Sequence, residues 1–111
     1  MIGENLNQLV NSAIIKNISP EPDKKLFPQG AKTSWIKPGK SVWSWLAQNG
    51  EVTFENMKRF SDWAGQLGFQ YNLVDEGWAK WNDGGRDGWD LMKELVDYSA
   101  LKKVKIWAWK A

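Results

Sequence analysis

The pattern that most restricts this fold runs from Ser41 onward, where short β-type runs alternate with amphipathic helical stretches in the order β-α-β-α-β. Ser41-Val42-Trp43-Ser44-Trp45 reads as a first strand. Thr53 suits a helix N-cap, and Glu55 falls in the first turn. Phe54, Met57, Phe60, Ala64 and Leu67 then mark one helical face, and Gly68 stops the helix. Phe69 to Val74 reads as a second strand. Asp87, with Asp90 three residues later, opens a second helix lined by Leu91, Leu95 and Tyr98 and widened by Met92 and Val96. Val104-Lys105-Ile106-Trp107-Ala108-Trp109 is rich in aromatic and β-branched residues and reads as a third strand.

Strands separated by helices pair in parallel through right-handed crossovers. The strand starts fall near residues 42, 71 and 104, a repeat of roughly 30, and a (β/α)8 barrel also spends about 31 residues per unit. A doubly wound sheet has similar spacing. No glycine-rich phosphate loop comes after the first strand, however, which counts against a dinucleotide fold. The expectation is an α/β fold: a partial (β/α)8 TIM barrel of three strands and two helices. Three strands cannot close a barrel, and an exposed apolar edge is an aggregation liability. The chain is therefore expected to be a segment of a longer protein.

Upstream the texture changes. All four prolines, Pro20, Pro22, Pro28 and Pro38, lie in the first 40 residues, whereas eight of the nine tryptophans lie beyond residue 40. Leu6, Val10, Ile14 and Ile18 recur every four residues and give a weak amphipathic helix signal over residues 3–18. Ser19 to Lys40 is dense in Pro, Gly and Lys and reads as an irregular linker. The expected division is residues 1–34, then 35–111.

Composition removes several functions. The 111 residues include no cysteine and no histidine. That excludes disulfides, thiolate chemistry and the usual imidazole base, and leaves only hard cations on oxygen ligands as metals. Lys and Arg number 15 against 13 Asp and Glu, too even a balance to argue for nucleic acid. No run of 18 apolar residues argues for a membrane span. Met1 to Val10 lacks the basic and apolar regions of a secretion signal.

Nine tryptophans in so short a chain are unusual. Trp is large and amphipathic, and serves both cores and the apolar faces of sugar rings. In parallel α/β folds, function gathers at the carboxyl ends of strands. Those ends here are Trp45, then Asp75-Glu76-Gly77-Trp78, then Trp109-Lys110. Aromatic plates beside carboxylates suit a carbohydrate, so Glu76, Asp75, Trp45, Trp78, Trp109 and Lys110 are the candidate substrate-binding residues. Alternation lets only one of Trp43 and Trp45, and one of Trp107 and Trp109, face the interior. Asp75 and Glu76 cannot be a complete catalytic pair: neighbours on a strand point to opposite faces, and a glycosidase needs two carboxyl groups converging on one bond. No catalytic residue and no metal ligand is assigned.

Several stretches resemble glycoside hydrolase family 97. Trp35-Ile36-Lys37-Pro38-Gly39-Lys40, leading into Ser41 to Trp45, is similar to the entry into that family's first barrel strand. Leu67 to Trp78 resembles its second strand, and Glu94 to Ser99 with Val104 to Trp109 its second helix and third strand. Leu6 to Ser12 and Leu26-Phe27-Pro28-Gln29-Gly30 resemble the exit from its N-terminal β-sandwich. The resemblance implies an α-glycosidase, α-galactosidase or α-glucosidase, acting on oligosaccharides with α-linked galactose or glucose. It implies a calcium ion near the active site, with ligands outside this stretch. It also implies a periplasmic or secreted parent, the rest of whose chain would be the partner of this segment. The inverting branch carries a His-His-Glu type sequence at the third strand's end. Trp107-Ala108-Trp109-Lys110 has neither residue type there, which points to the retaining branch. In that branch an Asp nucleophile ends the fourth strand and a Glu acid/base lies further on, both beyond Ala111. Glu76 matches a position near the non-reducing sugar. The rival expectations are a stand-alone Trp-rich carbohydrate-binding module without catalysis, and a truncated product without function.

Overall fold

The computed structural model describes residues 4–12, 14, 18–47 and 50–110. They form two compact units, residues 1–37 and 38–111.

In the first unit, α1 covers only Leu6–Val10. The Asn5 carboxamide accepts the Gln8 amide at its start, at 3.0 Å. One continuous amphipathic helix over residues 3–18 is not formed: the chain leaves the helix at Asn11 and Ser12, and Leu6, Ile14 and Ile18 lie exposed. Residues 13 and 15–17 of that expected helix lie outside the described residues. Five residues fall well short of the length at which a helix holds itself together. Ser19 to Lys37 is irregular, as its Pro and Gly content suggested, apart from one 3-10 turn at Gly30–Lys32. The loop is closed by Phe27 against Trp35, with ring centroids 5.2 Å apart, and by the Trp35 indole donating to the Leu26 carbonyl.

The second unit is an α/β layer. Its strands are β1 (Ser41–Trp43), β2 (Tyr71–Val74) and β3 (Lys105–Ala108), parallel and in the spatial order β1-β2-β3. Trp43 pairs with Leu73, and Leu73 with Trp107. α2 (Phe54–Gln66) joins β1 to β2, and α3 (Gly88–Ala100) joins β2 to β3. This order lays both helices on one sheet face, as a right-handed crossover between adjacent parallel strands requires. Val42, Val74 and Ile106 point to that face and pack with Met57 and Phe60 of α2 and Met92 and Leu95 of α3. By alternation Trp43, Tyr71 and Trp107 take the other face, where Tyr71 and Trp107 stack at 4.4 Å.

Local signals set both helices. The Thr53 hydroxyl accepts the Asn56 amide, and Asp87 and Asp90 form a reciprocal capping box. α2 ends at Gln66, and Gly68 adopts φ of 67°, a left-handed conformation that costs glycine nothing. Leu67, expected on the apolar face, is 63% exposed because the helix has already ended. Val96 is also exposed, so the inner stripe of α3 is narrower than expected. β1 is shorter than its sequence suggested: after Trp43 the chain turns into a 3-10 helix over Ser44–Leu46. No described helix is long and apolar enough to cross a membrane.

One polar feature was not anticipated. Asn72 of β2 points at the helices and is fully buried, as are Ser61 and Ser99. The Asn72 carboxamide donates to the Met57 carbonyl and to Ser61 Oγ, each at 3.0 Å. Ser61 and Ser99 hydroxyls lie 2.7 Å apart, and Ser99 donates to the Leu95 carbonyl at 2.7 Å. Since Ser99 spends its proton on Leu95, Ser61 must be the donor to Ser99. A one-way chain of hydrogen bonds thus joins β2, α2 and α3.

Candidate functional site

The carboxyl edge of the sheet is built by the segments that leave each strand. After β2 the chain runs Asp75-Glu76-Gly77, and Gly77 at φ of 115° turns it into a 3-10 helix at Trp78–Lys80. After β3, the Trp109 amide extends the ladder by donating to the Val74 carbonyl at 2.8 Å. The Trp109 carbonyl accepts the Trp78 indole N–H at 2.7 Å. Trp109 is therefore fixed through both backbone polar groups while its ring stays largely exposed.

These constraints bring four of the six expected residues together. Glu76, Trp78, Trp109 and Lys110 line a recess of ≈ 180 Å³ with Gly77, Ala79 and Lys80. Glu76 is exposed, and its carboxylate has no hydrogen bond or ion pair among the described residues. Lys110 Nζ lies 5.6 Å from the Trp89 ring centre, and Trp89 meets Trp78 edge-on at 4.8 Å. The recess thus offers one open carboxylate, two lysines and an exposed indole.

The other two residues do a different job. Asp75 Oδ2 accepts the Trp43 indole N–H at 2.9 Å, and Oδ1 accepts the Glu76 amide at 2.8 Å. Asp75 clamps the ends of β1 and β2 with both its oxygens. Trp45 does not end a strand. It leaves β1 in the 3-10 turn and stacks on Trp43, with ring centroids 6.2 Å apart.

Trp78 needs a correction. It was expected as a substrate contact, yet it is only 2% exposed and belongs to the core cluster with Met57 and Val74. The 3-10 turn after Gly77 rolls its ring inward, where the Trp109 carbonyl satisfies the indole N–H. It can form the floor of the recess and not a free platform. Trp43 and Trp89 matter more than the sequence suggested. Trp43 was visible as the alternative to Trp45, whereas Trp89, one of the first residues of α3, carried no distinguishing signal.

No calcium cradle emerges from these residues. Among the described residues no three carboxylates gather as a hard cation needs. Asp75 is already engaged, and Glu76 has a lysine, Lys110, for a neighbour in the recess.

No protein-family model matches the chain. Two curated proteins are similar. One, from Streptomyces bingchenggensis, is named a probable retaining alpha-galactosidase and is 36% identical over 71% of this chain and 14% of its own length. The other, a retaining alpha-galactosidase of Bacteroides thetaiotaomicron, is 40% identical over 68% of this chain and 13% of its own length. A crystal structure of a beta-arabinopyranosidase superposes with a TM-score of 0.51 and 35% identity, over 64% of this chain and 11% of that one. The chain spans about one-seventh of the length of the curated relatives it matches. These two relatives and this solved structure are named as glycosidases, so this three-stranded parallel α/β unit is similar to a short segment of glycoside hydrolases.

Proposed function

We propose that this chain forms the opening strands of a glycoside hydrolase barrel and supplies part of its sugar pocket. The observation that carries the reading is the recess at the carboxyl edge. It unites Glu76, Trp109 and Lys110 at the edge where parallel α/β enzymes place their ligands. In this reading residues 1–34 lead out of a preceding β-sandwich. The enzyme is a retaining α-glycosidase of family 97, acting on oligosaccharides with terminal α-linked galactose, or glucose in the related activity. Glu76 accepts a hydrogen bond from a sugar hydroxyl, and the Trp109 ring covers an apolar sugar face. Trp45, farther along the β1 exit, extends the aromatic wall.

Retention needs a nucleophilic carboxylate and a second carboxyl group about 5–5.5 Å away. Asp75 is held by Trp43 and the Glu76 amide, so the adjacent pair cannot fill both roles. The nucleophile and the acid/base belong to residues outside 1–111. By the family resemblance, so do the ligands of the calcium ion. A stand-alone binding module is not favoured, because the two curated relatives and the similar crystal structure are named as glycosidases.

The test is a transplant. The matching segment of the Bacteroides thetaiotaomicron retaining alpha-galactosidase is replaced by this chain, and release of nitrophenol from aryl α-galactoside and α-glucoside is measured. The reading expects a folded chimera that hydrolyses one of them. A chimera that melts cooperatively yet cleaves neither would overturn it.

A further inference from the structure

A second concavity lies at the same edge, between the starts of the two long helices. It is an open groove of ≈ 560 Å³, a size within the roughly 300–1,000 Å³ usual for small-molecule sites. Val52 from the β1–α2 connection and Phe54 at the start of α2 form one wall, and Trp81, Asn82 and Asp83 from the β2–α3 connection form the other. None of these residues lines the Glu76 recess.

The Trp81 ring is fixed twice. Its indole N–H donates to the Val52 carbonyl at 2.8 Å, and Phe54 meets it edge-on at 5.7 Å and 65°. It remains half-buried rather than sealed. A ring already held in place loses little freedom on binding a ligand. Beside it, the Asn82 carboxamide is exposed and makes no hydrogen bond among the described residues. It offers two donors and an acceptor. The charges nearby are already neutralised: Asp83 pairs with Arg86, and Glu55 lies 3.8 Å from Lys58. Each rim carboxylate sits beside its own cation, so neither a phosphate nor a free cation meets an unpaired opposite charge. The lining therefore suits a neutral ligand with an apolar face and a rim of hydroxyls.

We infer that this groove binds a neutral pyranoside unit, separately from the Glu76 recess. The choice of sugar rests on the glycosidase reading above; the groove's own chemistry sets only neutrality, an apolar face and hydroxyls.

The test is nitrogen-15 NMR of the 111-residue chain titrated with methyl α-D-galactopyranoside and methyl α-D-glucopyranoside. The expected result is saturable shifts of the Trp81 indole and Asn82 carboxamide signals with at least one probe. Asn82→Ala, on an exposed side chain, is expected to weaken that binding at least fivefold. Shifts confined to Trp78 and Trp109 would overturn the groove while leaving the recess intact. Absence of a saturable shift at Trp81 with either probe would overturn it too. The transplant reports independently on the glycosidase reading, since hydrolysis by the chimera does not depend on what the Trp81 groove binds in the isolated chain.

Discussion

Ser61→Ala offers a direct check on the buried hydrogen-bond chain that seats β2, the strand leading to Glu76. In the wild type Asn72 donates to Ser61, Ser61 to Ser99, and Ser99 to the Leu95 carbonyl, all beyond the reach of solvent. Removing the Ser61 hydroxyl leaves one Asn72 N–H buried without an acceptor, which costs about 1–3 kcal/mol. Ser99→Ala strands the Ser61 proton instead. The Met57 carbonyl, four residues back, already accepts from Asn72 as well as within the helix, so a similar cost is expected. Once Ser61 is absent there is no proton for Ser99→Ala to strand. The double variant should therefore cost less than the sum of the singles by about 1 kcal/mol or more. Urea unfolding monitored by tryptophan fluorescence reads this. With a slope of about 1–3 kcal/mol per M, a loss of about 2 kcal/mol moves the midpoint by about 1 M. An unchanged midpoint for Ser61→Ala, or single effects that simply add, would refute the directed chain.

Local contacts set the other expected outcomes. Asp87→Ala removes the α3 capping box and should cost about 0.5–2 kcal/mol, seen as a lower urea midpoint; no change would mean the cap is idle. Asp62, on α2, faces Tyr98 of α3 and Lys102. Burial pushes its carboxyl up, but hydrogen bonds from Lys102 and Tyr98 outweigh this and hold it below the usual 3.8. Its contribution to stability should be complete above pH 3.8 and fade as pH falls through the lower folded value. Asp62→Asn should therefore flatten the acid side of the stability profile, measured as urea midpoint against pH, and an unaltered acid limb would count against the pairing.

How far the sequence could be read depends on the range of each signal. The caps at Thr53 and at Asp87 with Asp90 were legible because capping is settled within four residues. The parallel β-α-β-α-β order was legible because alternating strands and helices leave little other topology. Strand ends were less so. Nothing local to Ser44-Trp45 announces that β1 gives way to a 3-10 turn, and that turn decides where Trp45 points. Trp78 shows the limit most clearly. Its amphipathic side chain suits core and pocket alike, and only the Trp109 carbonyl, 31 residues away, settles the matter. Asp75 looked like a ligand contact for the same reason: its partner, Trp43, lies 32 residues off, across the sheet. Buried Asn72 was hidden because a polar residue inside a strand becomes a core residue only when two helices bring hydroxyls to it.

The central claim is that Glu76, set at the carboxyl edge by β2 and Gly77, contacts the sugar of a glycosidase. Steady-state kinetics of the transplanted enzyme carrying Glu76→Ala test it most directly. The account predicts that kcat/KM for the hydrolysed aryl glycoside falls at least tenfold, which corresponds to about 1.4 kcal/mol of lost transition-state binding, with the melting temperature unchanged. A variant that folds normally and keeps both kcat and KM would contradict it.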